Sequence, residues 1–288
     1  MKILIIGSGV VGQATGIGFI QKKHEVFFYD IDKRTLQDLE SRRYRVIDDL
    51  PKLHSNPPPT FSMICVPTPS IDAKLDTANL EMVIRDVGEF LRKITGYHVV
   101  VVRSTVIPST TRTQIIPLLE KCSGKKVGTD FGVCMNPEFL RQRTALQDFL
   151  HPSRIVIGEY DKHSGDMVEC LYAKINAPIF RTDLDTAEMI KYVANTFLAT
   201  KISFFNEIYL LCEGLGLDAH FISKVVSLDP RIGDYGIFGG RPFEGSCLPK
   251  DLEALISFMN EKRIEVPLLK IVQYVNRMMM TKNMKGNT

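Results

Sequence analysis

The chain has 288 residues, 44% hydrophobic and 24% charged, which is enough apolar material to bury the cores of two ordinary domains. Its 36 basic and 33 acidic residues are spread along the sequence and leave a formal charge of +3, a balance that argues against nucleic acid as a partner. No stretch reads as a transmembrane helix, the opening MKILIIGSGVVG lacks the long apolar region and cleavage site of a secretory signal, and six cysteines without CxxC spacing suggest neither zinc nor disulfides.

A reducing cytoplasm is therefore the expected location, with no membrane contact and no metal. From Met1 to about Thr182, short apolar runs (KILIIG, EVFFYD, FSMICV, HVVVVRS, GVCMN, RIVIG) alternate with longer amphipathic stretches. Strands alternating with helices predict a parallel, doubly wound α/β sheet of Rossmann type. HSNPPPTF, with three consecutive prolines, cannot be helix interior and is expected to be a surface loop entering the third strand. Beyond Arg181 the pattern turns helical. A long helix is expected from about Thr186 to Cys212, stopped by Gly214 and Gly216, followed by a short helix at HFISKVVS. A Gly-rich loop from Gly233 to Gly245, a helix from Pro249 and a last one from Pro267 to about Met280 complete the chain. Residues 1–182 thus form one predicted domain and residues 183–288 an all-helical second one with a long central helix.

The first strand runs directly into Gly7-Ser8-Gly9-Val10-Val11-Gly12, with a helix-compatible segment behind it. In that position the first glycine permits a tight turn, the second lets backbone approach a pyrophosphate and the third allows close strand–helix packing. The helix N-terminus offers its N–H groups to the phosphates. The second strand ends in Asp30, at the spacing expected of the acid that binds an adenosine ribose. Its charge repels a 2′-phosphate, so NAD is the predicted cofactor and Gly7, Gly9, Val10, Val11, Gly12 and Asp30 its predicted contacts.

Cys247 stands apart from the other five cysteines, whose apolar or helical contexts suit small buried hydrophobes. It precedes Leu248-Pro249-Lys250-Asp251, and a proline there marks a helix N-terminus. The helix dipole and Lys250 then favour negative charge on the sulfur, as a nucleophile requires. A structural cysteine in a glycine turn is the plain alternative. Lys191 and Asn195, four apart, share one face of the long helix; a functional pair and a solvated stripe both fit that spacing.

These segments together resemble the UDP-glucose/GDP-mannose dehydrogenase family. The similar motifs are GSGVVG, CVPTP at Cys65 to Pro69, RST at Arg103 to Thr105, NPEFL at Asn136 to Leu140, and GSCLPKD at Gly245 to Asp251. The stretch from Glu188 to Glu207 is similar to the family's central helix. The resemblance implies that Cys247 is the nucleophile, that Lys191 and Asn195 hold a developing oxyanion, and that Asp251 positions or activates water. It implies that Thr105 and Glu138 line the site, Glu138 assisting thioester hydrolysis, that Phe139 and Leu140 contact substrate, and that Thr68 and Ser104 contact NAD. Arg231 resembles an arginine offered to a neighbouring subunit's sugar, so a homodimer is expected. The implied reaction is oxidation of the C6 primary alcohol of a nucleotide sugar, UDP-glucose first among candidates, to the uronic acid with two NAD through a thiohemiacetal and a thioester.

Three departures from the family pattern stand out. Gln142 occupies a position where a carboxylate is usual, and Glu244 one where glycine is usual. The chain also ends at Thr288, so the family's C-terminal nucleotide-binding domain is expected to be absent. Two alternatives to the four-electron enzyme remain: a catalytically silent NAD-binding dimer module, and a two-electron dehydrogenase of the β-hydroxyacid or 6-phosphogluconate type, which needs no thiol.

Overall fold

Six of the apolar runs become strands because they are rich in β-branched residues and are covered on both faces, the condition under which a parallel sheet is stable. The computed structural model describes residues 1–50, 57–71 and 73–286. The anticipated strands are β1 (Lys2–Ile6), β2 (Glu25–Tyr29), β4 (Phe61–Ile64), β7 (His98–Val102), β8 (Phe131–Met135) and β9 (Ile155–Glu159). Two further strands join them, β3 (Arg45–Ile47) and β10 (Ile179–Asp183), and a two-stranded hairpin, β5 (Ser70–Ile71) with β6 (Lys74–Leu75), stands apart. The proline-rich loop expected from His54 lies partly outside the described residues; from Pro57 it leads into β4 as anticipated.

The large sheet has the order β10-β9-β8-β7-β4-β1-β2-β3. Six strands run parallel to one another, but β9 pairs antiparallel with β8, and β10 runs parallel to β9. The doubly wound sheet anticipated is thus present, with one antiparallel step at that edge. Both unanticipated strands are edge strands. β3 has only three residues and β10 carries Arg181, Thr182 and Asp183, so neither shows an apolar run.

The chain forms two compact units, Met1–Thr68 with Asp76–Lys191, and Pro69–Leu75 with Tyr192–Thr288. The first unit is Rossmann-like, with the sheet, α1 (Val10–Gln21), α2 (Lys33–Ser41), α3 (Ala78–Lys93), α4 (Ile116–Ser123), α5 (Ala145–Leu150) and α6 (Lys162–Tyr172). Its core gathers Ile3, Ile5, Phe19, Phe28, Phe61, Val99, Val101 and Phe149, all essentially without solvent exposure. Burial of each such side chain contributes about 1.5–3 kcal/mol.

The second unit is helical. It holds most of α7 (Leu184–Leu215), with α8 (Ala219–Val226), α9 (Leu248–Glu261) and α10 (Pro267–Gly286), around a core of Ala199, Phe243, Leu252, Ile256 and Val272. The hairpin belongs to this unit and is tied to α9 by Ser70 to Glu253 at 3.5 Å and Lys74 to Glu261 at 2.9 Å. Among the described residues, no helix is long and apolar enough to cross a membrane and no cluster of three His, Cys, Asp or Glu could hold a metal.

Candidate active site

The glycine loop sits where β1 turns into α1. Gly7 has a left-handed backbone, φ 87°, and a Cβ on Gly12 would lie 1.9 Å from the Gly7 carbonyl oxygen, so both positions require glycine. Gly9 differs: a Cβ there would meet nothing within 4 Å, and Gly9 and Val10 are exposed. α1 has no acidic residue in its first turn and no side-chain cap, so its leading N–H groups are free to bind an anion. Asp30 closes the loop from the side. Its Oδ2 accepts the Ser8 N–H at 2.6 Å and its Oδ1 the Asp32 N–H at 2.9 Å, leaving each oxygen a lone pair for a ribose hydroxyl. An open shelf at Gly9, free amides and a carboxylate at the end of β2 fit NAD.

Thr68 and Ser104 are buried at the ends of β4 and β7, and both hydroxyls are already donating. Thr68 Oγ1 donates to the Thr105 carbonyl at 2.7 Å, and Ser104 Oγ donates to the Val66 carbonyl at 2.7 Å. The two hydroxyls therefore stitch the segments after β4 and β7 together, and each offers a cofactor only its acceptor side. Thr105 is half-buried.

Behind β8, Lys191 Nζ donates to the Glu138 carbonyl and to its Oε1, both at 2.7 Å. Glu138 Oε2 accepts the Leu140 N–H at 2.6 Å. Burial alone would push the Glu138 carboxyl up, but the adjacent Lys191 ammonium and the Leu140 amide win and hold it below its ordinary value. Phe139 carries the Arg154 guanidinium 3.8 Å from its ring centroid and the Lys191 ammonium at 5.7 Å. Glu138, Phe139 and Leu140 line a cavity of about 270 Å³ together with Arg103, Arg154 and Tyr172.

Those last three residues carried no expected role. Arg103 is buried, bonded to Thr15, Asn136 and Tyr172, and Arg154 is half-buried. The RST motif could have signalled Arg103; nothing in the sequence signals Arg154.

The second unit carries the remaining residues. Cys247 is exposed at the N-cap of α9, whose N–H groups no side chain caps. Its sulfur lies 3.7 Å from Ser246 Oγ. Asp251 follows one turn later and is buried, its Oδ2 accepting from Asn195 Nδ2 at 2.6 Å and its Oδ1 from Lys250 Nζ at 2.6 Å. The expectation that Lys250 serves the sulfur is thus corrected: its ammonium is committed to Asp251, a nearer full charge.

The loop before Cys247 is fastened from two helices. Asn206 on α7 accepts the Gly240 N–H and donates to the Arg241 carbonyl, each at 2.9 Å. Asn276 on α10 brackets Phe243, accepting its N–H at 2.8 Å and donating to its carbonyl at 3.0 Å. Neither asparagine was anticipated, although a buried amide on an apolar helix face is itself a signal. Glu244 and Arg231 are exposed, and Arg231 pairs with Asp229 at 2.6 Å. Gln142 opens a short 3₁₀ turn, Gln142–Thr144, and is exposed in the first unit.

The other cysteines divide less cleanly than expected. Cys134 and Cys212 are buried, and burial pushes the Cys134 thiol up to about 12. Cys65 and Cys122 are partly covered, and Cys170, expected to be buried, is exposed because its side of α6 faces solvent.

Comparison with known proteins places these features in one family. Residues 59–176 match the NAD binding domain of the UDP-glucose/GDP-mannose dehydrogenase family, and residues 185–278 match that family's central domain. GDP-mannose 6-dehydrogenase of Pseudomonas syringae pv. syringae is 39% identical over 297 residues, covering 96% of this chain and 68% of that protein. A UDP-glucose 6-dehydrogenase of Haloferax volcanii is 34% identical, with 96% and 69% covered. Among solved structures, a UDP-glucose dehydrogenase from Pyrobaculum islandicum superimposes with a TM-score of 0.88 at 33% identity, covering 96% of this chain and 68% of that one. A GDP-mannose dehydrogenase from Pseudomonas aeruginosa gives 0.76 at 36%, covering 98% and 70%. The chain belongs to the UDP-glucose/GDP-mannose dehydrogenase family, an NAD-dependent nucleotide-sugar dehydrogenase family, and spans about two thirds of the length of these relatives.

Proposed function

We propose that this chain oxidises the C6 primary alcohol of a nucleotide sugar to the carboxylate in two two-electron steps, with Cys247 as the covalent nucleophile. The observation that carries the reading is the arrangement on α9: an exposed cysteine at an uncapped helix N-terminus, with a buried aspartate one turn on, locked to Asn195. A one-step alcohol dehydrogenase has no use for that thiol.

The loop from Gly7 to Gly12 would hold NAD with Asp30, Thr68 and Ser104, and NAD would supply the hydride acceptor for each oxidation. The chain's own residues do the rest. The C6 alcohol loses a hydride and its hydroxyl proton to become the aldehyde; the Cys247 sulfur then forms a C–S bond to the carbonyl carbon while the oxygen takes up a proton, giving a thiohemiacetal. Loss of a second hydride from that carbon, with the hydroxyl proton passing to water, leaves a thioester. Water adds to its carbonyl, the C–S bond breaks, and the thiol is regenerated beside the acid.

In this reading Lys191 and Asn195 stabilise negative charge on the reacting oxygen. Glu138 and Asp251 orient the hydrolytic water, and their own bonds keep both carboxylates in place. Phe139 and Leu140 contact the sugar, and Thr105 lines the site. Gln142 replaces a charge by a neutral amide, which fits slower hydrolysis of the thioester.

A second copy of the chain completes the reading. Along α7, Val193, Phe197, Phe204, Leu211 and Leu215 recur at helical spacing on one face and are 54% to 66% exposed. That stripe is the proposed homodimer surface, and the exposed Arg231 is the residue offered across it.

The test is NADH formation by the purified chain with NAD and a panel that includes UDP-glucose, the substrate expected from the sequence, and GDP-mannose. Two NADH per sugar, lost in Cys247→Ser, is the expected result. One NADH per sugar, or full activity in Cys247→Ser, would overturn the covalent route; NAD binding with no turnover on any sugar would leave a cofactor-binding module.

A further inference from the structure

Glu188 is fully buried and carries none of the roles assigned above. It stands on α7 one turn before Lys191, and both its oxygens accept backbone N–H groups from another part of the first unit. Oε2 accepts from Ser109 at 2.6 Å and Oε1 from Thr111 at 2.8 Å. Those amides lie where the chain enters the helical segment that begins at Thr110 and passes through a π-helical stretch, Thr111–Ile115. They are donors that a helix N-terminus leaves without an internal partner. Ser109 also holds a left-handed backbone, φ 77°, which serine adopts only when its surroundings fix it.

Two adjacent turns of α7 thus secure two strand-end segments. Lys191 secures the segment after β8 through Glu138, and Glu188 secures the one after β7 through Ser109 and Thr111. We infer that Glu188 is a positioning residue: it fixes the segment that carries Ser104 and Thr105 against the turn of α7 that carries Lys191. The anchoring stands on the geometry alone; its effect on turnover rests on the dehydrogenase reading.

Burial raises the Glu188 carboxyl to about 7, hydrogen bonds from Thr111 and Ser109 pulling it back and Asp185 adding like charge. The neighbouring charges are otherwise committed: Arg112, on the anchored segment, faces Asp185 at 3.3 Å, and Lys191 faces Glu138. The ionised carboxylate accepts both amides fully, whereas the protonated acid gives up one strong acceptor. Burial outweighs that gain: opening the segment returns Glu188 to its ordinary value, so the anchor is tightest with the acid protonated and loosens as pH rises to about 7.

The experiment is amide hydrogen exchange of the full chain, corrected for intrinsic rates, across pH 6 to 8.5, for wild type and Glu188→Gln. In the wild type, protection at Ser109 and Thr111 should fall as pH rises to about 7 and level off above it. In Glu188→Gln, whose side-chain NH₂ opposes one of the two amides, protection at pH 8 should fall about tenfold or more, one charge-assisted hydrogen bond. The variant's kcat should drop and lose the pH step that Glu188 imparts near neutrality. Protection that is flat with pH and equal in the variant would overturn the anchoring, as would lost protection with an unchanged kcat profile for the positioning role. The wild-type pH series decides the matter if Glu188→Gln fails to fold. A wild type with no turnover on any sugar would count against the dehydrogenase reading alone, since the exchange data still test the anchor.

Discussion

Lys191 holds Glu138 twice, through the backbone carbonyl and through the carboxylate, across 53 positions of sequence. Both side chains are nearly free of solvent exposure, so the pair is a buried ion pair with its hydrogen bonds satisfied. Removing one partner leaves the other charged in a low-dielectric site, a change that costs about 3–5 kcal/mol. Lys191→Ala should lower the unfolding free energy by that amount in urea, and Lys191→Ala with Glu138→Gln should recover part of it. Additive losses in the double variant would mean that the two groups do not sense each other.

His98 provides the pH test. It is buried, its Nδ1 facing the Pro59 carbonyl and its Nε2 the Ser62 hydroxyl, each at 2.9 Å. Burial, chiefly, lowers its value to about 4. A depressed folded-state value means that the unfolded chain takes up the proton first, at about pH 6.5. The contribution is therefore complete above pH 6.5 and is lost progressively as pH falls to about 4. Unfolding free energy measured from pH 7 to 4.5 should show this slope, and His98→Gln should flatten it. An identical slope in the variant would assign it to other groups.

The two ends of the glycine loop make opposite demands. A methyl at Gly12 collides with the Gly7 carbonyl, whereas one at Gly9 enters open space. Gly12→Ala should be destabilised, its melting temperature well below wild type. Gly9→Ala should melt like the wild type yet bind NAD at least about tenfold more weakly, because its methyl occupies the space of a pyrophosphate. Calorimetric titration with NAD checks this; undiminished affinity in Gly9→Ala would move the cofactor off the loop.

Thiol labelling separates the cysteines. Cys247 and Cys170 are exposed, Cys134 and Cys212 buried. Brief treatment of the native chain with iodoacetamide, read by peptide mass spectrometry, should modify the first two and spare the second two. NADH formation should fall in step with the Cys247 adduct, not the Cys170 adduct.

The stripe on α7 is tested by the association state of the chain. Phe197 and Leu211 are 65% and 54% exposed, so charging them leaves the core intact. Phe197→Glu with Leu211→Glu should convert a dimer to a monomer by light scattering without lowering the melting temperature of the helical unit appreciably. A wild-type chain that is monomeric at high concentration would remove the surface from consideration.

What the sequence made legible follows from range. Runs such as HVVVV and the glycine loop announce themselves within a dozen residues, and the strands they predict are present. β3 and β10 escaped because edge strands need no apolar run; β10 spends Arg181 on Glu159 and Asp166 instead. Spacing placed Lys191 and Asn195 one turn apart on one helix. It gave no hint that Lys191 would meet Glu138 and Asn195 would meet Asp251, since those contacts depend on chain far away. Lys250 shows the converse error: adjacency to Cys247 in sequence suggested a partnership that the buried Asp251 carboxylate takes over at 2.6 Å.

The hairpin Ser70–Leu75 has a consequence for dissecting this protein by gene engineering. Because seven residues, Pro69–Leu75, are assigned to the second unit while the chain on either side belongs to the first, the helical unit is discontinuous. No single cut yields both parts intact. A fragment starting at Tyr192 would leave α9 without the strands that Ser70 and Lys74 tie to it, whereas a fragment ending at Lys191 would carry that hairpin with nothing to pack on. Expressing the helical part alone therefore calls for grafting the hairpin back through a short linker, and the soluble yield of grafted against ungrafted fragments measures how much of its stability those seven residues supply.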